Sequence, residues 1–252
     1  MISKIGHFSG LQDEEPAKYI AVAHSTSPYV SVYPFNERYG FGVKFSNPAT
    51  LPGTQGIGVS FSPAADALAV AHNGSPYVSV YPWSGSGFGT KFSNPATLPT
   101  GNGNGVVFSP ASDALAVAHT TSPYVSVYPW SGSGFGTKFS DPATLPTGTG
   151  SGVTFSPAGD ALAVAHSTSP YLSVYPWSGS GFGTKFSNPS TLPASTGSGV
   201  AFSPSGNTLA VAHATSPRVS VYPWSASGLS SKFSNPATLP TGNGGGVAII
   251  ST

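Results

Sequence analysis

A 47-residue unit recurs along this chain with almost no drift. The segment Trp83 to Pro129 matches Trp130 to Pro176 at 40 of 47 positions. The same spacing separates His72, His119, His166 and His213, and likewise Trp83, Trp130, Trp177 and Trp224. A degenerate copy with His24 and Phe35 precedes them, which makes five copies in 252 residues. A period of 20 to 50 residues is the mark of solenoids, propellers and arrays, in which one supersecondary unit buries its apolar face only against its neighbours. Copies this similar point to duplication of one unit, so a residue shared by all of them is not by that fact a functional one.

Within a unit the punctuation is dense. Gly105–Ser109 (GVVFS), Ala114–His119 (ALAVAH), Tyr124–Tyr128 (YVSVY) and Phe135–Ser140 (FGTKFS) are short β-rich runs. They are separated by Ser-Pro, Thr-Thr-Ser-Pro, Pro-Trp-Ser-Gly-Ser-Gly and Asp-Pro segments, and we label them a, b, c and d. Short, evenly spaced strands bounded by Gly and Pro indicate an all-β chain, and no helical apolar period of useful length is present. Four strands per 47 residues predicts an all-β, five-bladed β-propeller with four antiparallel strands per blade. The chain enters the repeat at a b strand, Lys18–His24, and leaves it at an a-like strand, Gly246–Ser251 (GVAIIS). Each end supplies what the other lacks. The expectation is therefore a ring closed by residues 246–251 completing the first blade, one propeller domain over 18–252, and an N-terminal arm or extra strand over 1–17.

Composition narrows the partners. Charged residues are 7% of the chain and the formal net charge is +1, so there is no basic stripe to displace counterions from a nucleic acid. No apolar run reaches the roughly 20 residues of a membrane helix, and the first residues have no apolar core of a secretory signal. There are no cysteines, which removes disulfides, thiolate catalysis and Cys-ligated zinc. The 32 Gly and 25 Pro would suit disorder in a chain poor in aromatics, yet 15 Phe, 11 Tyr and 4 Trp are enough to build a core.

The units GVxFSPxxxxLAVAHxTSPYVSVYPW over residues 18–251 resemble the divergent WD40-like β-propeller repeats of bacteriophage and bacterial proteins. The Trp-Asp pair and the Gly-His before strand a are missing. The resemblance implies the propeller; for function it is less specific, since propellers host unrelated activities.

Strand parity puts the d-to-a and b-to-c connections on one face of the disc. The five histidines His24, His72, His119, His166 and His213 stand there, beside loops such as Thr100–Gly105 and Thr147–Gly152. Each is alone in its blade, short of the three or four ligands of a zinc site, so no metal is expected; the histidines are expected to tie down the b-to-c turn, as buried polar groups need partners. Trp83, Trp130, Trp177 and Trp224 follow strand c. They are candidate glycan or partner contacts if half-exposed, and inter-blade packing residues if buried. One Lys per d strand (Lys44, Lys91, Lys138, Lys185, Lys232) reads as edge protection, and Asp66, Asp113 and Asp160 as caps of the a-to-b turns. Ile5, His7 and Phe8 of the arm are candidate docking residues.

Repeated carboxylates sit in identical environments, whereas acid–base catalysis needs groups with separated pKa values, so neither a catalytic residue nor a cofactor is expected. The function expected from these readings is a non-enzymatic structural or attachment module. The resemblance, the neutral surface and the missing signal point to a bacteriophage virion component at the virion or extracellular surface, joined to other virion proteins by its arm and able to form an oligomer within an assembly. The alternative is a multivalent lectin with one weak glycan site per blade.

Overall fold

The computed structural model describes residues 18–250. The candidate arm residues Ile5, His7 and Phe8 lie outside the described residues. All regular structure among the described residues is β. Blade one holds β1 (Lys18–Ala23), β2 (Val30–Asn36) and β3 (Gly40–Phe41). Blade two holds β4 (Gly56–Phe61), β5 (Ala67–His72), β6 (Val78–Ser84) and β7 (Gly87–Phe88). Blade three comprises β8 (Gly103–Phe108), β9 (Ala114–His119), β10 (Val125–Ser131) and β11 (Gly134–Phe135), and blade four β12 (Gly150–Phe155), β13 (Ala161–His166), β14 (Leu172–Ser178) and β15 (Gly181–Phe182). Blade five is β16 (Gly197–Phe202), β17 (Thr208–His213), β18 (Val219–Ser225) and β19 (Gly228–Leu229). The result is one three-stranded and four four-stranded antiparallel sheets in simple meander order, the architecture of a five-bladed propeller.

The b strands explain how the blades stack. Ala114–His119 is buried at every position, because a strand in mid-blade has a neighbouring blade on both faces and needs no polar side. Its small residues Ala114, Ala116 and Ala118 face blade four, where Val153, Phe155, Leu162, Val164, Tyr175 and Trp177 fill the interface. Its larger Leu115 and Val117 face blade two, packing with Ala67, Ala69 and Ala71. Alternating Ala with Leu and Val along one strand therefore fits a thin face to a thick one at each step round the disc, as interdigitated cores require.

The outer strands are shorter than expected. Instead of Phe135–Ser140, strand d pairs only over Gly134–Phe135. The chain then touches strand c again through Gly136 N–H to Pro129 O (2.8 Å) and Phe139 N–H to Val127 O (2.9 Å). The cause is Pro129 in strand c, which has no N–H to donate and so interrupts the ladder.

The two ends of the chain differ from the expectation. Residues 246–250 form no strand, and the first sheet lacks its inner strand, since β1 pairs with β2 alone. The C-terminal segment nevertheless follows the path of an inner strand on blade five: Gly244 N–H donates to His213 O at 3.1 Å, and Gly246 Cα lies 3.0 Å from where a Cβ on Gly199 would be. Closure of the ring is not seen among the described residues. The segment is seated against blade five and not paired with β1.

Candidate functional site

The b-to-c turns are built alike in all blades. Each contains a cis Ser-Pro bond followed by a residue at φ between 69° and 74°: Tyr29, Tyr77, Tyr124, Tyr171 and Arg218. Each turn is closed by the His N–H, as in His119 N–H to Tyr124 O at 3.0 Å. The imidazole locks it from the side. His72 Nε2 meets Ser79 Oγ at 3.0 Å and its Nδ1 meets Asn73 O at 3.0 Å. A carbonyl only accepts, so Nδ1 carries the proton and Nε2 accepts from the serine hydroxyl. His119, His166 and His213 repeat the Ser contact at 3.0 to 3.1 Å. These four rings are fully buried. Burial pushes His119 and His166 down to about 4 and lowers His72 and His213, because a charged ring there would lose its hydration. In the structure these four rings tie the b-to-c turn to the serine of strand c, and among the described residues no group of three or more His, Asp or Glu could hold a metal.

His24 is the exception. Its Nε2 keeps the partner Ser31 Oγ at 3.1 Å, but the ring is only half-buried. In blades two and three the loop entering strand a crosses the ring: a Cβ on Gly53 would lie 3.1 Å from His72 Cε1, and Thr100 Oγ1 stands 3.4 Å from His119 Nδ1. These contacts place d-to-a and b-to-c connections on one face, as strand parity requires.

The tryptophans are not open platforms. Trp83, Trp130, Trp177 and Trp224 are 5 to 8% exposed. Trp130 is boxed edge-on by Phe92 of the preceding blade and by Phe108 and Phe135 of its own, with ring centroids 5.0 to 5.4 Å apart. No ring face is left for a sugar, which corrects their candidacy as glycan contacts and makes them inter-blade packing. Tyr81, Tyr128, Tyr175 and Tyr222 add a tie the sequence reading missed. Each hydroxyl donates to a threonine carbonyl 31 residues earlier, in the preceding blade, at 2.8 to 2.9 Å. Burial pushes Tyr222 up to about 12 and raises the other three as well.

At the a-to-b turns the cap is the serine. Ser109 Oγ accepts from the N–H groups of Asp113 and Ala114 and donates to Asp113 Oδ1 at 2.6 Å. The aspartate orients the serine, a step removed from the direct cap expected of it. The lysines fold back on their own strand, as Lys91 Nζ does to Phe92 O at 3.2 Å and Asn94 Oδ1 at 2.5 Å.

The feature best suited to meet a ligand is a set of β-bulges. In blades two to five, the start of strand a slips by one residue against strand b, between Gly56 and Gly58, Gly103 and Gly105, Gly150 and Gly152, and Gly197 and Gly199. The extra residues are Ile57, Asn104, Ser151 and Ser198, on the histidine face. A bulge re-aims its side chain out of the ladder, and bulges gather next to active sites. Ser151 and Ser198 are half-buried, and their hydroxyls make no hydrogen bond among the described residues. Asn104 Nδ2 donates to Gly150 O at 2.8 Å, which fixes its amide. The sequence carries the signal as Gly-Ile-Gly, Gly-Asn-Gly and twice Gly-Ser-Gly at the four strand starts.

The blade geometry defines the class no further than an all-β propeller of repeated antiparallel blades. Among solved structures, the chain is similar to the periplasmic gluconolactonase PpgL of Pseudomonas aeruginosa, with 18% identity, 89% of this chain and 69% of that one covered, and a TM-score of 0.64. It is similar to a putative 6-phosphogluconolactonase of Bacteroides fragilis, with 12% identity, 91% and 69% coverage, and a TM-score of 0.70. A putative 6-phosphogluconolactonase of Bacteroides uniformis gives 15%, 78% and 61%, and 0.60, so the chain spans about three-fifths of that protein. No protein-family model matches the chain, and no curated protein matches it. At these identities the likeness establishes the fold. It also corrects two expectations. The repeated antiparallel blades agree with the WD40-like resemblance at the level of architecture, but nothing found connects the chain to a bacteriophage. The non-enzymatic virion or lectin role falls, because the similar propellers carry the names of enzymes. Identical repeated carboxylates argued against one kind of catalytic pair and left other arrangements of the fold untouched.

Proposed function

We propose that this chain is a hydrolase of small, uncharged, polyhydroxylated lactones, acting at the bulges on the histidine face. The observation that carries this reading is the row of Asn104, Ser151 and Ser198, re-aimed out of adjacent inner strands with two hydroxyls unspent among the described residues. Hydroxyl and amide groups match the hydroxyls of a sugar lactone, and Ile57, 40% exposed, matches its carbon skeleton. A lactone is a reactive ester. Water adds to the carbonyl carbon, the acyl C–O bond breaks, and the ring oxygen takes a proton to give the open hydroxy acid. Oriented hydrogen-bond donors and acceptors hold the ester and the water together, the contribution of proximity and orientation. The gluconolactonase names of similar propellers support this substrate class. We also infer that the C-terminal strand 246–251 closes the ring beside β1 and completes the circle of inner strands around this site.

The test is acid release from glucono-1,5-lactone at constant pH, read against spontaneous hydrolysis. A rate proportional to protein concentration, falling at least tenfold in the Ser151→Ala/Ser198→Ala double variant with its unfolding midpoint unchanged, is the expected result. A rate equal to the blank at every protein concentration overturns the assignment.

A further inference from the structure

Four inter-blade interfaces are complete, and the two halves of a fifth stand apart. On the outer side of blade five, Val219 and Val221 are half-buried, whereas their counterparts Val78, Val80, Val125 and Val127 are 0 to 1% exposed. Phe233 is 50% exposed, although Phe45, Phe92, Phe139 and Phe186 each pack on the tryptophan of the next blade. On the free side of blade one, Val22 is 44% exposed, and Ile20, Tyr33 and Phe35 are half-buried. By repeat position these are the residues that Leu68, Val70, Tyr81 and Trp83 represent in blade two, where they pack on Val30 and Val32.

The polar groups are complementary too. Thr238 corresponds to Thr50, whose carbonyl receives the Tyr81 hydroxyl, and Tyr33 is the matching tyrosine. Thr241 corresponds to Thr100 and Thr147, which stand over His119 and His166 Nδ1 at 3.4 and 3.5 Å. His24, the half-exposed histidine, has no hydrogen bond at Nδ1 among the described residues.

Resting on the ring closure proposed above, we propose that residues 238–250 dock on blade one of the same chain in the register of the other blades and convert His24 into a fifth buried tie. Blade two pairs Gly56 with His72, Gly58 with Ala71, Val59 with Val70 and Phe61 with Leu68. The same register sets Gly244 opposite His24, Gly246 opposite Ala23, Val247 opposite Val22 and Ile249 opposite Ile20. Thr241 then covers the His24 ring and meets Nδ1, the Tyr33 hydroxyl donates to Thr238 O, and Phe233 packs on Phe35. The occupant is this chain's own segment because Gly244 and Gly246 are already seated on blade five as inner-strand residues, so only the far edge of the segment is unpaired, continuous with the four existing interfaces.

Two measurements separate the docking from the closure on which it rests. The chain has no cysteine, so a Val22→Cys/Val247→Cys variant reports one distance. The expected result is a disulfide within a monomer under mild oxidation, together with amide protection at Ala21 and Ala23, whose N–H groups face the open edge of β1, in the unmodified chain. The second is the His24 Nδ1–H proton, assigned by its loss in His24→Gln and followed by NMR hydrogen exchange. The expected result is a ring proton protected from solvent to the same degree as that of His119. Exchange as fast as that of an open ring, alongside a monomeric disulfide, overturns the covering of His24 and leaves closure standing. Disulfide-linked dimers, or no disulfide and no amide protection, overturn closure itself.

Discussion

The interface between blades three and four and the seam between blades five and one are written in nearly the same residues but are in different states. In the first, Ala116 and Ala118 meet Leu162 and Val164 at 0% exposure. In the second, Val22 remains 44% exposed. What separates them is the supply of a strand. Every interior blade receives its inner strand from the chain just before its b strand, whereas in the closure proposed above blade one takes its own from the other end of the polypeptide. Local pairing costs little loop-closure entropy, while joining the ends closes the longest loop in the molecule.

The comparison is sharpened most by a matched pair of truncations. Leu115→Ala should cost about 2 to 5 kcal/mol, since the side chain is fully buried and leaves a cavity between blades. Its counterpart Ile20→Ala should cost as much if the seam closes and under about 1 kcal/mol if it stays open, with chemical unfolding as the measurement. Next in size is His119→Gln, expected to cost about 1 to 3 kcal/mol by leaving Ser126 and the turn carbonyls without their partner.

The same histidines set a pH dependence. Their folded values lie below the ordinary 6.5, at about 4 for His119 and His166. The unfolded chain therefore binds more protons between these limits, and stability falls as pH drops from about 6.5 to 4, then levels off. Unfolding midpoints across that window should show a shallower slope in His119→Gln than in the parent. The smallest effect is expected at Lys138→Ala. Its ion pair with Asp141 is at the surface, where such pairs contribute about 0 to 1 kcal/mol, and thermal unfolding should shift by no more than that.

The repeat makes the blades legible in the sequence. Ala114–His119 is a strand with the very bounds its β-rich run suggested, since its two flanking turns are signalled by Asp and by Thr-Thr-Ser-Pro. The bounds of strand d were not legible, because the interruption comes from Pro129 on the partner strand and not from d itself. The tryptophans left two readings open, as exposure depends on where the preceding blade puts Phe92, which no spacing within one unit reveals. The bulge residues Asn104, Ser151 and Ser198 look like loop residues in sequence; only the slip of register between Gly103 and Gly105 shows that they stand on a strand.

The glycines at the start of the inner strands have a mechanical consequence. Gly58, Gly105, Gly152 and Gly199 each leave room for the backbone of the next blade, at 3.0 to 3.3 Å from where a Cβ would project. They act as shims of zero thickness set in series. A methyl at one of them would tilt a blade slightly, and the misfit would travel round the disc undiminished to its last joint. Gly152→Ala is thus most visible far from residue 152, where blade five has to meet blade one.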